Sequence, residues 1–197
     1  SQPLIKAKDA IVSLDFRDEG KHADSHITHA WNGFSVERVV MAGSREFAYD
    51  WSGGAHYLAM HDLKLMDGEI AVSDVQPRRR LDLRDRLTMA PKGSRVSGWS
   101  SLVNRTNSFI ALTYDPDVLT KEVEQAGWQT PPAPMVYFSN LALQSTMAKL
   151  QGAIEDDDPR GSAYAETLAL LAVFEVSRMQ SKKIPAVIPD SGVLSLR

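Results

Sequence analysis

The chain contains no cysteine. That excludes disulfide scaffolds, thiolate metal sites and cysteine nucleophiles at once, and it fits a reducing compartment. A long apolar run is missing too. The longest, Leu168 to Phe174, is stopped by Glu175, far short of the roughly 20 residues a membrane-crossing helix needs. Residues 1–10 carry Lys6, Lys8 and Asp9 and no apolar signal core, so a cytoplasmic location is expected, with no membrane partner. Nor is there a basic excess. Twenty-two Lys plus Arg stand against 25 Asp plus Glu, a net charge of −3, whereas a nucleic-acid-binding domain ordinarily has a strongly positive balance. By itself the chain is not expected to hold DNA. Catalytic signatures are also wanting: there is no G-x-S-x-G elbow, no P-loop and no G-x-G-x-x-G after a strand, and no paired carboxylates suggest acid and base roles. No enzymatic activity, catalytic residue or cofactor is expected.

What is present is a 197-residue chain with 43% hydrophobic residues, long enough to bury roughly 70% of its unfolded surface. From Trp31 to about Thr113 short apolar or alternating runs are broken by turn residues. The runs are Val36–Ala42, Ala55–Leu65, Ile70–Val72, Leu87–Ala90 and Phe109–Thr113. Many short strands at this spacing predict a sandwich or barrel. Asp67-Gly68 is the strongest hairpin signal, because a tight primed turn needs residues that tolerate positive φ. The arginines Arg78, Arg79, Arg80, Arg84 and Arg86 are interleaved with Asp82 and Asp85, as in a solvated loop and strand edge.

The period then changes. Asp115-Pro116 opens a helix predicted over 116–126, with Asp115 as cap and Gly127 as terminator. Met135 to Phe138 is a short apolar stretch. From Asn140 a second helix is predicted, with Leu143, Met147, Leu150 and Ile154 in one stripe. An acidic loop with Pro159 and Gly161 connects it to a final helix from Ser162 to Gln180. On that helix Tyr164, Leu168, Leu171, Ala172 and Met179 project to one side and Leu170, Val173 and Phe174 to another. A helix apolar on two sides needs two surfaces to pack against. The expected second surface is a partner subunit, giving a homodimer through Leu168, Leu170, Leu171 and Phe174; the other arrangement is a helix sandwiched inside the monomer. Residues 181–197 have the composition of a linker.

The five histidines are the residues that could bind metal. His22, His26 and His29 would share one face on a helix, but the segment is poor in helix formers, and on a strand His26 and His29 point oppositely. His56 and His61 are five apart on a strand and also face opposite sides, so at most one lines the interior. No metal site is expected. For a ligand pocket in the barrel, inward alternation selects Trp51, His56, Leu58, Met60, Met89, Trp99 and Phe109, a selection that a one-residue slip would invert.

The stretch Leu87-Thr88-Met89-Ala90-Pro91-Lys92-Gly93-Ser94-Arg95-Val96-Ser97-Gly98-Trp99 resembles the strand, Pro-x-Gly turn, strand hallmark of cupin barrels. The order of that turn, Phe109 to Pro116, a helix and a hairpin ending Tyr164-Ala165-Glu166-Thr167-Leu168-Ala169-Leu170-Leu171 is similar to the N-terminal half of AraC-type transcriptional regulators. The resemblance covers residues 31–180 and rests on order and spacing more than on any single motif. It implies an α+β fold, a cupin-like double-stranded β-barrel (jelly roll) followed by a C-terminal helical hairpin. Residues 1–30 would be an N-terminal arm, 31–130 the barrel, 131–180 a helical dimerisation subdomain and 181–197 a linker toward a helix-turn-helix domain. It further implies a small-molecule effector in the barrel and contact with DNA only through that further domain. Metal-binding cupins carry a His-x-His pair and a later His; residues 55–61 read Ala-His-Tyr-Leu-Ala-Met-His and Val96 stands where the later His would. A cupin enzyme or stand-alone binding protein with a non-standard metal site is the alternative.

Overall fold

The computed structural model describes residues 12–17, 22–125, 132–156 and 161–181. Eleven strands are described: β1 (Ser13–Phe16), β2 (Ser25–Trp31), β3 (Phe34–Met41), β4 (Glu46–Ser52), β5 (His56–Asp62), β6 (Leu65–Val72), β7 (Val75–Arg78), β8 (Arg86–Ala90), β9 (Arg95–Leu102), β10 (Asn107–Tyr114) and β11 (Met135–Phe138). Three helices accompany them: α1 (Thr120–Gln125), α2 (Leu141–Glu155) and α3 (Gly161–Ser181). The strands form two antiparallel sheets, ordered β1-β4-β9-β6-β7 and β11-β8-β5-β10-β3-β2. From β3 to β6, and again from β8 to β10, successive strands alternate between the sheets. That wrapping is the jelly-roll form of the expected barrel, and the helix pair follows it.

Two cores result, one on each face of the six-stranded sheet. Between the sheets lie Val39, Met41, Phe47, Trp51, Tyr57, Ala59, Ile70, Leu102 and Phe109, with others. On the outer face Leu58, Met60, Leu87, Met89, Ile110 and Leu112 join Leu143, Met147, Leu150 and Ile154 of α2 and Leu168, Ala169, Ala172, Val173 and Val176 of α3. The predicted stripe on α2 is therefore the buried one. Its start is also as predicted: the Asn140 side chain accepts the Leu143 N–H at 3.0 Å, the capping bond an Asn at this position supplies. Pro91-Lys92-Gly93 makes the turn between β8 and β9, with Gly93 at φ +84°, a conformation glycine adopts without steric cost.

Four expectations need correction. Asp67-Gly68 is not a hairpin but the interior of β6, at a bulge against β9. A Cβ on Gly68 would lie 2.9 Å from the Trp99 carbonyl oxygen, so this glycine permits close strand approach instead of a turn. The hairpin lies five residues on at Ser73-Asp74, between paired Val72 and Val75, with Ser73 at φ +41° and no glycine to announce it. Ala55–Leu65 is split into β5 and β6 at Leu63-Lys64. The helix predicted from residue 116 begins at Thr120; Asp115 does cap, its Oδ1 accepting the Asp117 N–H at 3.0 Å, but over a turn that precedes the helix. Finally, the residues assigned to an arm supply β1 and β2, which are full members of the two sheets. Gly127 and all but Ser181 of the 181–197 linker lie outside the described residues.

Candidate functional site

The barrel interior holds a cavity of about 30 Å³, room for roughly two water molecules. Val12 and Leu14 close one side, Phe47 and Tyr49 come from β4, Tyr57 and His61 from β5, and Leu63, Ile70, Leu83, Val96, Ser100, Phe109 and Tyr137 complete the wall. Tyr137 reaches inward because it stands at φ +53°, in the irregular stretch of the β11–β8 ladder. A left-handed bulky residue at a bulge is an unusual and costly backbone, of the kind used to re-aim one side chain.

His61 is the chemical centre of this wall. Its Nε2 lies 3.1 Å from Thr88 Oγ1, the Tyr137 ring meets it edge-on at 5.8 Å, and Nδ1 has no hydrogen-bond partner among the described residues. Burial pushes its pKa down to about 4, so the imidazole is neutral at pH 7. The Trp51 Nε1 is likewise buried without a partner, in a ring 4.9 Å from that of Tyr57. The Tyr49 hydroxyl donates to the Glu69 carbonyl at 3.2 Å. Burial raises the pKa values of Tyr49, Tyr57 and Tyr137, keeping all three phenols protonated.

Beside the cavity stands one carboxylate. Glu37 on β3 has a side chain only 1% exposed, and its Oε1 accepts the Val12 N–H at 2.9 Å. Its Oε2 lies 2.8 Å from His26 Nε2, and that bond raises the His26 pKa. The N-terminal end of β1 is thus fastened to the barrel interior by a charge-assisted hydrogen bond.

The selected pocket residues divide. Trp51 belongs to the core between the sheets, and Phe109 lines the cavity. Leu58, Met60 and Met89 do not line it; they belong to the core under the helices. His56 shares their side of β5: its ring lies 5.1 Å from that of Tyr114, its Nδ1 accepts the Lys92 N–H at 2.8 Å, and burial followed by the Lys92 charge lowers its pKa to about 4. Trp99 is on the outer face of its sheet, under the Arg79 guanidinium at 5.9 Å. On β5 the selection took the wrong alternate residues because that strand is buried on both faces from His56 to His61, so polarity does not mark the inward one. Sequence reasoning missed Tyr49, Tyr57 and Tyr137; the bulge that turns Tyr137 inward has no sequence mark.

On α3, Leu168 is buried inside the chain at 5% exposure and is not free to meet a partner. Leu170 packs against the same core, Phe174 is half-buried, and Leu171 and Tyr164 are exposed. The outward apolar stripe is therefore Tyr164, Leu171 and Phe174. Among the N-terminal histidines the segment is strand, not helix: His26 bonds Glu37, while His29 stacks on Trp31 at 6.0 Å. Among the described residues no three or more His, Asp or Glu side chains are grouped to hold a metal ion. No described helix is long and apolar enough to cross a membrane.

No family model matches the sequence, and no curated protein matches it. Solved structures do. The cupin domain of Schizosaccharomyces pombe Cnp3 is similar over 58% of this chain and 67% of its own, at 14% identity and a TM-score of 0.36. The AraC-like transcriptional activator CuxR is similar over 88% of this chain, at 9% identity and a TM-score of 0.47, and the chain spans 62% of that protein. An RmlC-like cupin from Shewanella frigidimarina is similar over 58% of this chain and 91% of its own, at 9% identity and a TM-score of 0.35.

Proposed function

We propose that this chain is the ligand-sensing and dimerisation region of an AraC-type transcriptional regulator acting in the cytoplasm. A small-molecule effector occupies the barrel, and DNA is met only through a further domain. The chain itself is no enzyme. The observation that carries this reading is the pairing of an aromatic, polar-tipped barrel interior with a helix whose outward stripe has no partner among the described residues. Tyr164, Thr167, Leu171, Phe174 and Arg178 recur at alternating intervals of three and four, and all but the half-buried Phe174 are exposed. That spacing is the seam two helices share when they pack at a shallow angle. A ligand acts on such a dimer only by binding its alternative arrangements unequally.

Light scattering tests the dimer. The wild-type chain is expected at twice its 21.8 kDa, and Leu171→Glu at the single-chain mass with an unchanged circular dichroism spectrum, because a charge is then buried in an apolar contact. A monomeric wild type, or a dimer that Leu171→Glu leaves intact, overturns the assignment of α3.

A further inference from the structure

Resting on that reading of the barrel interior as the effector site, we propose that the effector is an apolar molecule without negative charge that carries one hydrogen-bond donor. It binds where Val12 and Leu14 now sit, its donor taking the place of the Val12 N–H on Glu37.

Three observations lead there. The first is room. A cavity of about 30 Å³ admits roughly two waters and no organic ring, so an organic occupant must take over volume that side chains now fill. Val12 and Leu14 are the replaceable part of the wall. They come from or adjoin β1, a strand of four residues at the edge of its sheet, paired with β4 alone, so its departure breaks one short ladder and leaves every other intact.

The second is the character of the remaining wall. None of the thirteen cavity-lining residues is Asp, Glu, Lys or Arg, and His61 is buried with no carboxylate partner among the described residues. An anion entering this space would lose its hydration and find no cation to pair with. Aromatic rings of Phe47, Tyr57, Phe109 and Tyr137 instead offer flat apolar surface.

The third is the acceptor. Glu37 is the buried carboxylate beside the cavity, and the group it holds is the backbone N–H of Val12, the residue just before β1. If β1 leaves and nothing replaces that donor, Oε1 loses its bond inside the protein, a costly state for a buried charged group. An N–H or O–H on the incoming molecule restores it. A second carboxylate there would be repelled.

An isosteric series tests the class directly by calorimetry on the whole chain: indole, benzothiophene, which keeps the shape and lacks the donor, and indole-3-carboxylate, which adds a negative charge. Indole is expected to bind, benzothiophene about tenfold more weakly for want of the hydrogen bond, and the carboxylate not at all. In Leu14→Ala, which weakens the seating of β1, indole binding should tighten by about tenfold, since the site is competent more of the time. In Glu37→Gln the gap between indole and benzothiophene should narrow. Equal binding of indole and benzothiophene, binding of the carboxylate as tightly as indole, or no binding of any probe even in Leu14→Ala overturns the proposal. The two readings fail separately. A dimer that prefers the carboxylate loses the ligand class and keeps the sensor; a monomer that binds indole with the stated preferences keeps the ligand class and loses the sensor.

Discussion

On the inner face of the six-stranded sheet, Glu37, Tyr57, His61 and Phe109 stand around or beside a cavity; on its outer face, Leu58, Met60, Leu87, Met89, Ile110 and Leu112 pack against α2 and α3. Both faces are buried, and the same strands supply both. The outer side is mainly aliphatic, with Phe34 and Tyr114 among its members, a composition that dispersion and transfer out of water favour. The inner side accepts unpaired polar atoms and incomplete filling. The inner wall is the more aromatic and polar of the two, within strands only seven or eight residues long.

The sharpest test of that division is to remove or add volume on either side. Leu112→Ala, at a site with no exposed area, is expected to cost about 3 kcal/mol in urea unfolding, the transfer loss plus the hole left behind. Adding volume should separate the faces. Ala169→Val, also fully buried among the helices, should cost about 1–3 kcal/mol through overpacking, whereas Ser100→Thr, at the cavity wall, should stay within about 1 kcal/mol of wild type.

The pH dependence of stability distinguishes the histidines. His61 has its folded pKa lowered to about 4 by burial, below the ordinary value near 6.5. The unfolded chain therefore binds this proton first as pH falls. The contribution of His61 to stability is full above pH 6.5 and is lost on the way down to about 4, a change of about 3 kcal/mol. Thermal unfolding across that window should show a drop that His61→Leu diminishes. His26 works in the opposite sense. Its folded pKa is raised by the bond to Glu37, so its contribution is present below 6.5 and lost as pH rises through the raised value. The smallest effect belongs to the surface. Arg79→Ala removes exposed pairs with Glu69 and Asp67 and the contact with Trp99, and should change stability by less than about 1 kcal/mol in the same urea assay.

Helix α2 was legible because it buries one face. The stripe Leu143, Met147, Leu150, Ile154 and the cap Asn140 mark α2 in the sequence and in space alike. The strand-rich region and the turn at Pro91-Lys92-Gly93 were legible for similar reasons. The inward face of β5 was not, since His-Tyr-Leu-Ala-Met-His is buried on both sides and the alternation that reports orientation vanishes. Trp99 misled in another way: a large aromatic suggests an interior, but this one lies beneath an arginine on the outside. Glu37 and His26 gave no local sign of pairing, being eleven residues apart and brought together only by the β2–β3 ladder. At Leu168 the helical projection named the right helix but the wrong neighbour, because small Ala165, Ala169 and Ala172 let α3 settle deeper onto the chain's own core.

Trp51 gives the barrel an optical readout of its own. It is 2% exposed, while Trp31 and Trp99 are half-buried toward the outside, and Tyr57 lies 4.9 Å from it, close enough to hand over excitation. Emission from Trp51 should accordingly lie to the blue of that from Trp31 and Trp99; the fourth tryptophan, Trp128, lies outside the described residues. The state of the interior can be followed in the unlabelled protein by light alone.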